Sequence, residues 1–350
     1  MPNQLNNVGL LARVASFSKN VQVLNNLANV CVDARDAVEN YSYDVWNNII
    51  TQKVVDEAAD SGNIKVIRIA LELKKAIDYS YSILTMYEKG KKDFVLEMLD
   101  KGVDINSRYN FISLLSKAAR KNDVAFGAVL IQRGIEIHED CGENASQDCS
   151  DDCCDDDAND DADDDDDFGE SALHVAARKG HNKFLALLIK NGADVDYLPD
   201  WDTHTLSILC TAVMNNRIKT VEFLIKAGAN FNEGQEYGTP LMLAILDNNI
   251  EIVKLLVDAG ADMSEISVGR FGAGNGNEVD VLNGAASIPD SSILKYLLEK
   301  KSYNDFMKIE YKSRYCVEND FKIRPPIITA RKYGHLESVD VLIAAGADPN

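Results

Sequence analysis

One glycine recurs along this chain at a spacing that a single compact domain does not require. It stands at Gly102, Gly134, Gly192, Gly228, Gly260 and Gly346, with Lys301 taking the slot once. The steps from 102 to 134, 192 to 228 and 228 to 260 are 32, 36 and 32 residues. Sixteen residues before each slot lies a small residue or methionine: Met86, Ala118, Ala176, Ala212, Ala244, Ala285 and Ala330. The segments also end alike, in Asp104-Ile105-Asn106, Asp194-Val195-Asp196, Asn230-Phe231-Asn232 and Asp348-Pro349-Asn350. A unit of this length cannot bury its own apolar face, so copies must stack to make a core.

The clearest copy runs from Gly169 to Asp196, GESALHVAARKGHNKFLALLIKNGADVD. The spacing predicts a first short helix through Leu173, Ala176 and Ala177 that stops at Gly180. A second helix follows over 182–190, with Phe184, Leu187, Leu188 and Ile189 at helical intervals. It ends at Asn191-Gly192, where glycine takes the positive φ of a helix terminus at no steric cost, and Ala193 to Asp196 form a short extended finger. This unit resembles the ankyrin repeat, whose signature is T-P-L-H-x-A with a period near ~33. Ser171 and Ala172 replace the signature's Thr and Pro, and Thr239-Pro240-Leu241 matches its start most closely. The resemblance implies an all-α, elongated and curved ankyrin-repeat solenoid. Its helix–turn–helix units carry short β-hairpin fingers, and about seven or eight units are expected, some divergent.

Residues 1–53 are expected to be helical, because Leu10, Leu11, Val14, Phe17, Val21, Leu24 and Leu27 recur at three- and four-residue steps. They read either as a degenerate N-terminal cap or as a separate helical module. Divergent repeats follow over 54–138, with Val55, Ala58, Ala59 and Gly62 in the spacing of Leu173, Ala176, Ala177 and Gly180. Residues 139–168 read as a disordered acidic insertion, and 169–350 as repeats interrupted near 265–281 and 302–322. The chain stops at the end of a finger with no polar capping helix, so the last unit either frays, shields its face otherwise, or is followed by more chain.

Formal charge is −20, but residues 139–170 contain 14 Asp, three Glu and no Lys or Arg, which makes −17. The rest therefore sums to −3, an ordinary surface. Thirteen Asp between 148 and 167 repel one another and no large apolar residue offers burial, so this stretch is expected to loop out as solvated chain. As alternatives to a spacer it is read as a metal buffer or as a nucleic-acid mimic for a basic partner. No apolar run approaches the ~18 residues of a membrane span. The first twenty residues lack the basic start of a secretory signal, and seven scattered cysteines suggest a reducing compartment. A cytoplasmic location is expected, with nucleus or host-cell cytosol as variants.

Catalytic readings find little footing. His138, Cys141, Cys149, Cys153 and Cys154 do not have the paired spacing of a zinc site. The run Asp163, Asp165, Asp167 meets Phe168 where a calcium loop needs glycine. Gly269 to Gly276 lacks the Gly-Lys-Ser/Thr of a phosphate loop. Cys210 takes the slot of His174, and His174, His181 and His335 fall at repeat positions, so all four read as structural. No enzyme, no metal and no cofactor is expected.

The resemblance implies that a partner protein docks on the concave face, made by the fingers and the exposed side of the first helices. Carried onto the clear units, it selects Glu170, Arg178 and Lys179; Tyr197, Trp201, Asp202, Met214 and Asn215; and Glu236, Tyr237, Leu246 and Asp247. Tyr197, Trp201 and Tyr237 are read either as one aromatic patch, of the kind that anchors interfaces, or as packing against their own hairpins. The implied function is a non-enzymatic protein-binding scaffold; a host-directed effector of an intracellular bacterium or virus is the alternative. Nucleic acid and membrane are not expected as partners.

Overall fold

The structure, a computed structural model, describes residues 50–74, 76–110, 112–138, 171–198, 206–232, 238–264, 266–268, 278–307 and 325–349. The expected helices of the first 49 residues, the acidic insertion and the glycine-rich run 269–277 lie outside them. The described residues divide into two compact units, 50–121 with 128–136, and 122–127 with 137–138 and 171–349.

In the first unit, helices pair as α1 (Gln52–Ser61) with α2 (Ile64–Glu72), and α3 (Ser80–Glu88) with α4 (Lys92–Asp100). Next comes α5 (Leu114–Arg120), which packs on α3. The division between the units runs through α6 (Val124–Gln132). In the second unit the pairs are α7 (Ala172–Lys179) with α8 (Asn182–Lys190), α9 (Ile208–Met214) with α10 (Ile218–Lys226), and α11 (Pro240–Leu246) with α12 (Ile250–Ala259). Strands β1 (Ile266–Val268) and β2 (Glu278–Asp280) then pair antiparallel, Ile266 opposite Asp280. The unit closes with α13 (Val281–Ser287) on α14 (Ser292–Lys300), the single turn α15 (Tyr303–Phe306), and α16 (Pro326–Tyr333) on α17 (Leu336–Ala344). The first helices α7, α9, α11, α13 and α16 lie side by side as one layer, and the second helices α8, α10, α12, α14 and α17 as another.

The recurring residues each have a physical task. Met86, Ala118, Ala176, Ala212, Ala244, Ala285 and Ala330 are all 0% exposed. Each sits on a first helix that must also approach its neighbours, so a small side chain suits the slot; Met86 is the exception. Five residues before the alanine stands an N-cap: Ser113, Ser171, Ser207, Thr239 and Asp280 accept from the backbone N–H three residues on. That satisfies a donor which the helix itself leaves over. The turn between paired helices takes a left-handed residue in three successive repeats, Gly180 (φ 77°), Asn216 and Asn248 (both φ 54°), whereas the α13–α14 turn has none.

Two details depart from the sequence reading. Lys301 does not adopt the left-handed turn of the glycines; its φ of −144° is extended, and Tyr303 and Phe306 of α15 are buried just beyond it, inside the stretch read as an insertion. The fingers of 104–107, 194–197 and 230–232 are hydrogen-bonded turns rather than strands. Asp104, Asp194, Asn230 and Asp262 each accept, through Oδ1, the N–H two residues on, at 2.8–3.1 Å.

The third finger residue then reaches to the next repeat. Asn106 Oδ1 accepts from Glu136 N–H at 2.9 Å, Asp196 Oδ1 from Asn230 N–H at 2.8 Å, and Asn232 Oδ1 from Asp262 N–H at 2.8 Å. His138 fills the same role with Nε2, 3.2 Å from Asp194 N. This ladder explains why the segment endings recur in the sequence.

Candidate interaction surface

The expected site residues fall into two groups. Glu170, Trp201, Asp202, Glu236 and Tyr237 lie outside the described residues, so the aromatic patch is represented by Tyr197 alone. The other six, besides Tyr197, come from equivalent slots on adjacent first helices. Arg178 and Lys179 end α7, Met214 ends α9 with Asn215 as its C-cap, and Leu246 ends α11 with Asp247 as its C-cap. Because α7 packs on α9 and α9 on α11, these pairs form one stripe across three helix ends.

The stripe is graded in character. Arg178 and Lys179 are half-buried cations at one edge. Arg178 also gives its backbone carbonyl to Arg217 Nε at 2.7 Å, which ties the helix end to the following repeat. Met214 is 39% exposed at the centre. Asn215 turns its amide back on Thr211 O at 2.8 Å, so part of its hydrogen-bonding capacity is spent on its own helix. Leu246 is half-buried and Asp247 exposed; partial desolvation raises the Asp247 carboxyl above its usual pKa.

Tyr197 is half-buried and its ring lies 4.4 Å from that of His138, at 45°. This contact is with a neighbouring finger and not with its own hairpin. The same slots continue past α11, counted from the buried alanines, to Ser287-Ile288 at the end of α13 and Lys332-Tyr333 at the end of α16. Tyr333 is 40% exposed, stacked on His335 at 6.0 Å with Lys332 Nζ 5.2 Å from its ring centre. The offset of two and three residues from Ala330 was the signal that could have found this pair.

The residues read as structural are occupied. His174 is buried, with Nδ1 2.8 Å from Ser171 Oγ and Nε2 2.9 Å from Leu206 O of the following repeat. It therefore joins one repeat to the next. His335 Nε2 lies 3.0 Å from Ser287 O in the manner of Arg217 on Arg178. Cys210 is fully buried, and burial pushes its thiol up to about 11, far from the lowered pKa of a nucleophilic cysteine. His138, the described member of the Cys/His cluster, uses Nε2 as an acceptor in the finger ladder. Among the described residues no group of three or more His, Cys, Asp or Glu side chains could hold a metal ion, and no helix is long and apolar enough to cross a membrane.

Comparison with known proteins agrees with this architecture. A family model for ankyrin repeats, in three copies, matches residues 86–235 and 199–267. Among curated proteins, the nuclear factor NF-kappa-B p105 subunit of Rattus norvegicus is 35% identical over 69 residues, which is 20% of this chain. Ankyrin repeat and SOCS box protein 5 of Oryctolagus cuniculus is 40% identical over 72 residues, again 20% of this chain. The matches take in only 7% and 21% of those proteins' own length. The crystal structure of the human ASB11 ankyrin repeat domain superposes with a TM-score of 0.50 at 21% identity, covering 71% of this chain and 97% of that one.

Proposed function

The chain belongs to the ankyrin-repeat family, and from that premise we propose that it is a non-enzymatic scaffold that binds a partner protein through the exposed ends of its first helices. Ankyrin repeats in general mediate protein–protein interaction, and a repeat fold by itself does not name the partner. The observation that carries the reading is Met214, an exposed apolar side chain between the cations of α7 and the Leu246-Asp247 pair of α11. An apolar centre with a charged rim is the ordinary composition of a binding surface.

The test is a pull-down of full-length chain from lysate, with the captured protein identified by mass spectrometry and its affinity then measured with purified components. Met214→Asp with Leu246→Asp places two charges at the apolar centre. An affinity at least tenfold weaker, in a variant whose helical circular dichroism is unchanged, is the expected result. Undiminished affinity in that variant, with loss instead on deleting 139–167, would transfer the function to the acidic insertion.

A further inference from the structure

Among the described repeats, the first lacks a finger of the usual length. Lys74 stands where the second repeat has Gly102, with φ 48° against 94°. Only six residues later α3 begins at Ser80, whereas twelve separate Gly102 from Leu114 of α5. Asp78 holds the sequence slot of Asn106, the ladder acceptor, but is diverted. Its Oδ1 accepts from the N–H and the hydroxyl of Ser80 at 2.8 and 2.6 Å, and its backbone is held on both sides by the Gln52 amide. The next rung is therefore open. Glu136, Asp194, Asn230 and Asp262 each donate their N–H to the preceding finger, while the N–H of Asp104 meets no acceptor among the described residues.

A cleft of about 350 Å³ lies at this place, lined in part by Lys74, Asp78, Tyr79, Lys101, Asp104 and Ser107. The hydroxyls of Tyr79 and Ser107 are both buried without a hydrogen-bond partner, and burial pushes the Tyr79 phenol up to about 12. A buried hydroxyl left unpaired costs free energy, which an incoming acceptor recovers. Lys101 pairs with Glu72 at 2.5 Å, and Asp104 turns its Oδ1 to its own turn at Asn106. Besides the second carboxylate oxygens of Asp78 and Asp104, what remains unanswered is a set of donors: one backbone N–H, two hydroxyls and the Lys74 ammonium.

We propose that this cleft binds an aspartate side chain of an extended segment of a partner protein, its carboxylate supplying the acceptor that the shortened finger does not. The other rungs define the chemistry, because each is completed by a side-chain acceptor, and Lys74 is the cation that would answer a carboxylate beside Asp78 and Asp104. The site uses neither Met214 nor Leu246 and stands independently of the surface proposed above.

The probe is the pentapeptide acetyl-Gly-Ala-Asp-Val-Asp-amide, the sequence of residues 192–196, whose last side chain is a ladder acceptor in this chain. Titrated into isotopically labelled full-length protein, it is expected to shift the backbone amide resonance of Asp104 saturably, and the same peptide ending in Ala is not. Tyr79→Phe and Ser107→Ala are each expected to weaken binding about five- to tenfold. Tyr79→Phe removes an unpaired buried hydroxyl, so it leaves the melting temperature unchanged or raised, and lost binding cannot be put down to lost folding. Met214→Asp with Leu246→Asp leaves the titration as it is. No saturable shift at Asp104, or an equal one with the alanine peptide, overturns the proposal. So does a peptide response that appears only after 139–167 is deleted, which would give the cleft to the chain's own aspartates.

Discussion

The imidazole Nε2 of His174 lies 2.9 Å from the carbonyl oxygen of Leu206, 32 residues away in the next repeat. A carbonyl only accepts, so Nε2 carries the proton. Nδ1 is then the acceptor for the Ser171 hydroxyl at 2.8 Å. The same Ser171 oxygen caps α7 by accepting from the backbone N–H of His174. One side chain thus joins a helix start to the residue before the Ser207 cap of the following helix, in a setting where the ring is 3% exposed.

His174→Ala removes both bonds and leaves the Leu206 carbonyl without its donor in a buried place. The expected cost is about 2–3 kcal/mol, read as a fall in the urea midpoint of the second unit. A change below ~0.5 kcal/mol would mean that the bridge does not contribute to stacking.

Asp196 holds the next repeat from the surface side, through its 2.8 Å bond from Asn230 N–H. Asp196→Ala is expected to destabilise by about 0.5–1.5 kcal/mol and to speed hydrogen exchange at the Asn230 amide. Asp196→Asn keeps the acceptor oxygen and is expected to restore both towards wild type. Failure of the asparagine to rescue would show that charge, rather than the acceptor, matters at this rung.

Cys210 has a thiol pushed from 9.0 to about 11 by burial. At pH 8 roughly 0.1% of it is thiolate, so alkylation by iodoacetamide is expected only after unfolding. The linkage has a definite sign. The unfolded chain ionises this thiol near 9 and the folded chain near 11, so the stability it contributes is full below pH 9 and falls as pH rises through 11. The loss reaches ~3 kcal/mol. Denaturation curves of the native chain and of Cys210→Ala, taken between pH 7 and 11, are expected to converge as the pH rises; parallel curves would refute the shift.

Much of the fold was legible because the repeat imposes the same task on the same slot. The alanines sixteen residues before each glycine are the buried faces of the first helices, and the Ser, Thr or Asp five residues earlier is their cap. Lys301 shows the limit of such counting. It sits at the right interval, yet its φ is extended rather than left-handed. Lys74 does take the left-handed turn, and nothing in the local residues separates the two cases. Among the candidate surface residues, sequence placed Arg178, Met214 and Leu246 at equivalent slots. It could not tell that Asn215 spends its amide on its own helix or that Tyr197 lies against His138.

By itself, then, the sequence determined the repeating unit, its caps, its turns and its buried stripe, because these follow from interactions within a few residues of chain. Tertiary structure alone decided which side chains join neighbours: His174 to Leu206, Asp196 to Asn230, and the rung at Asp104 that stays open because Asp78 is turned to Ser80. Those outcomes depend on which acceptor arrives within about 3 Å of which donor. That distance is set by the stacking of one repeat on the next and is not encoded in either repeat read alone.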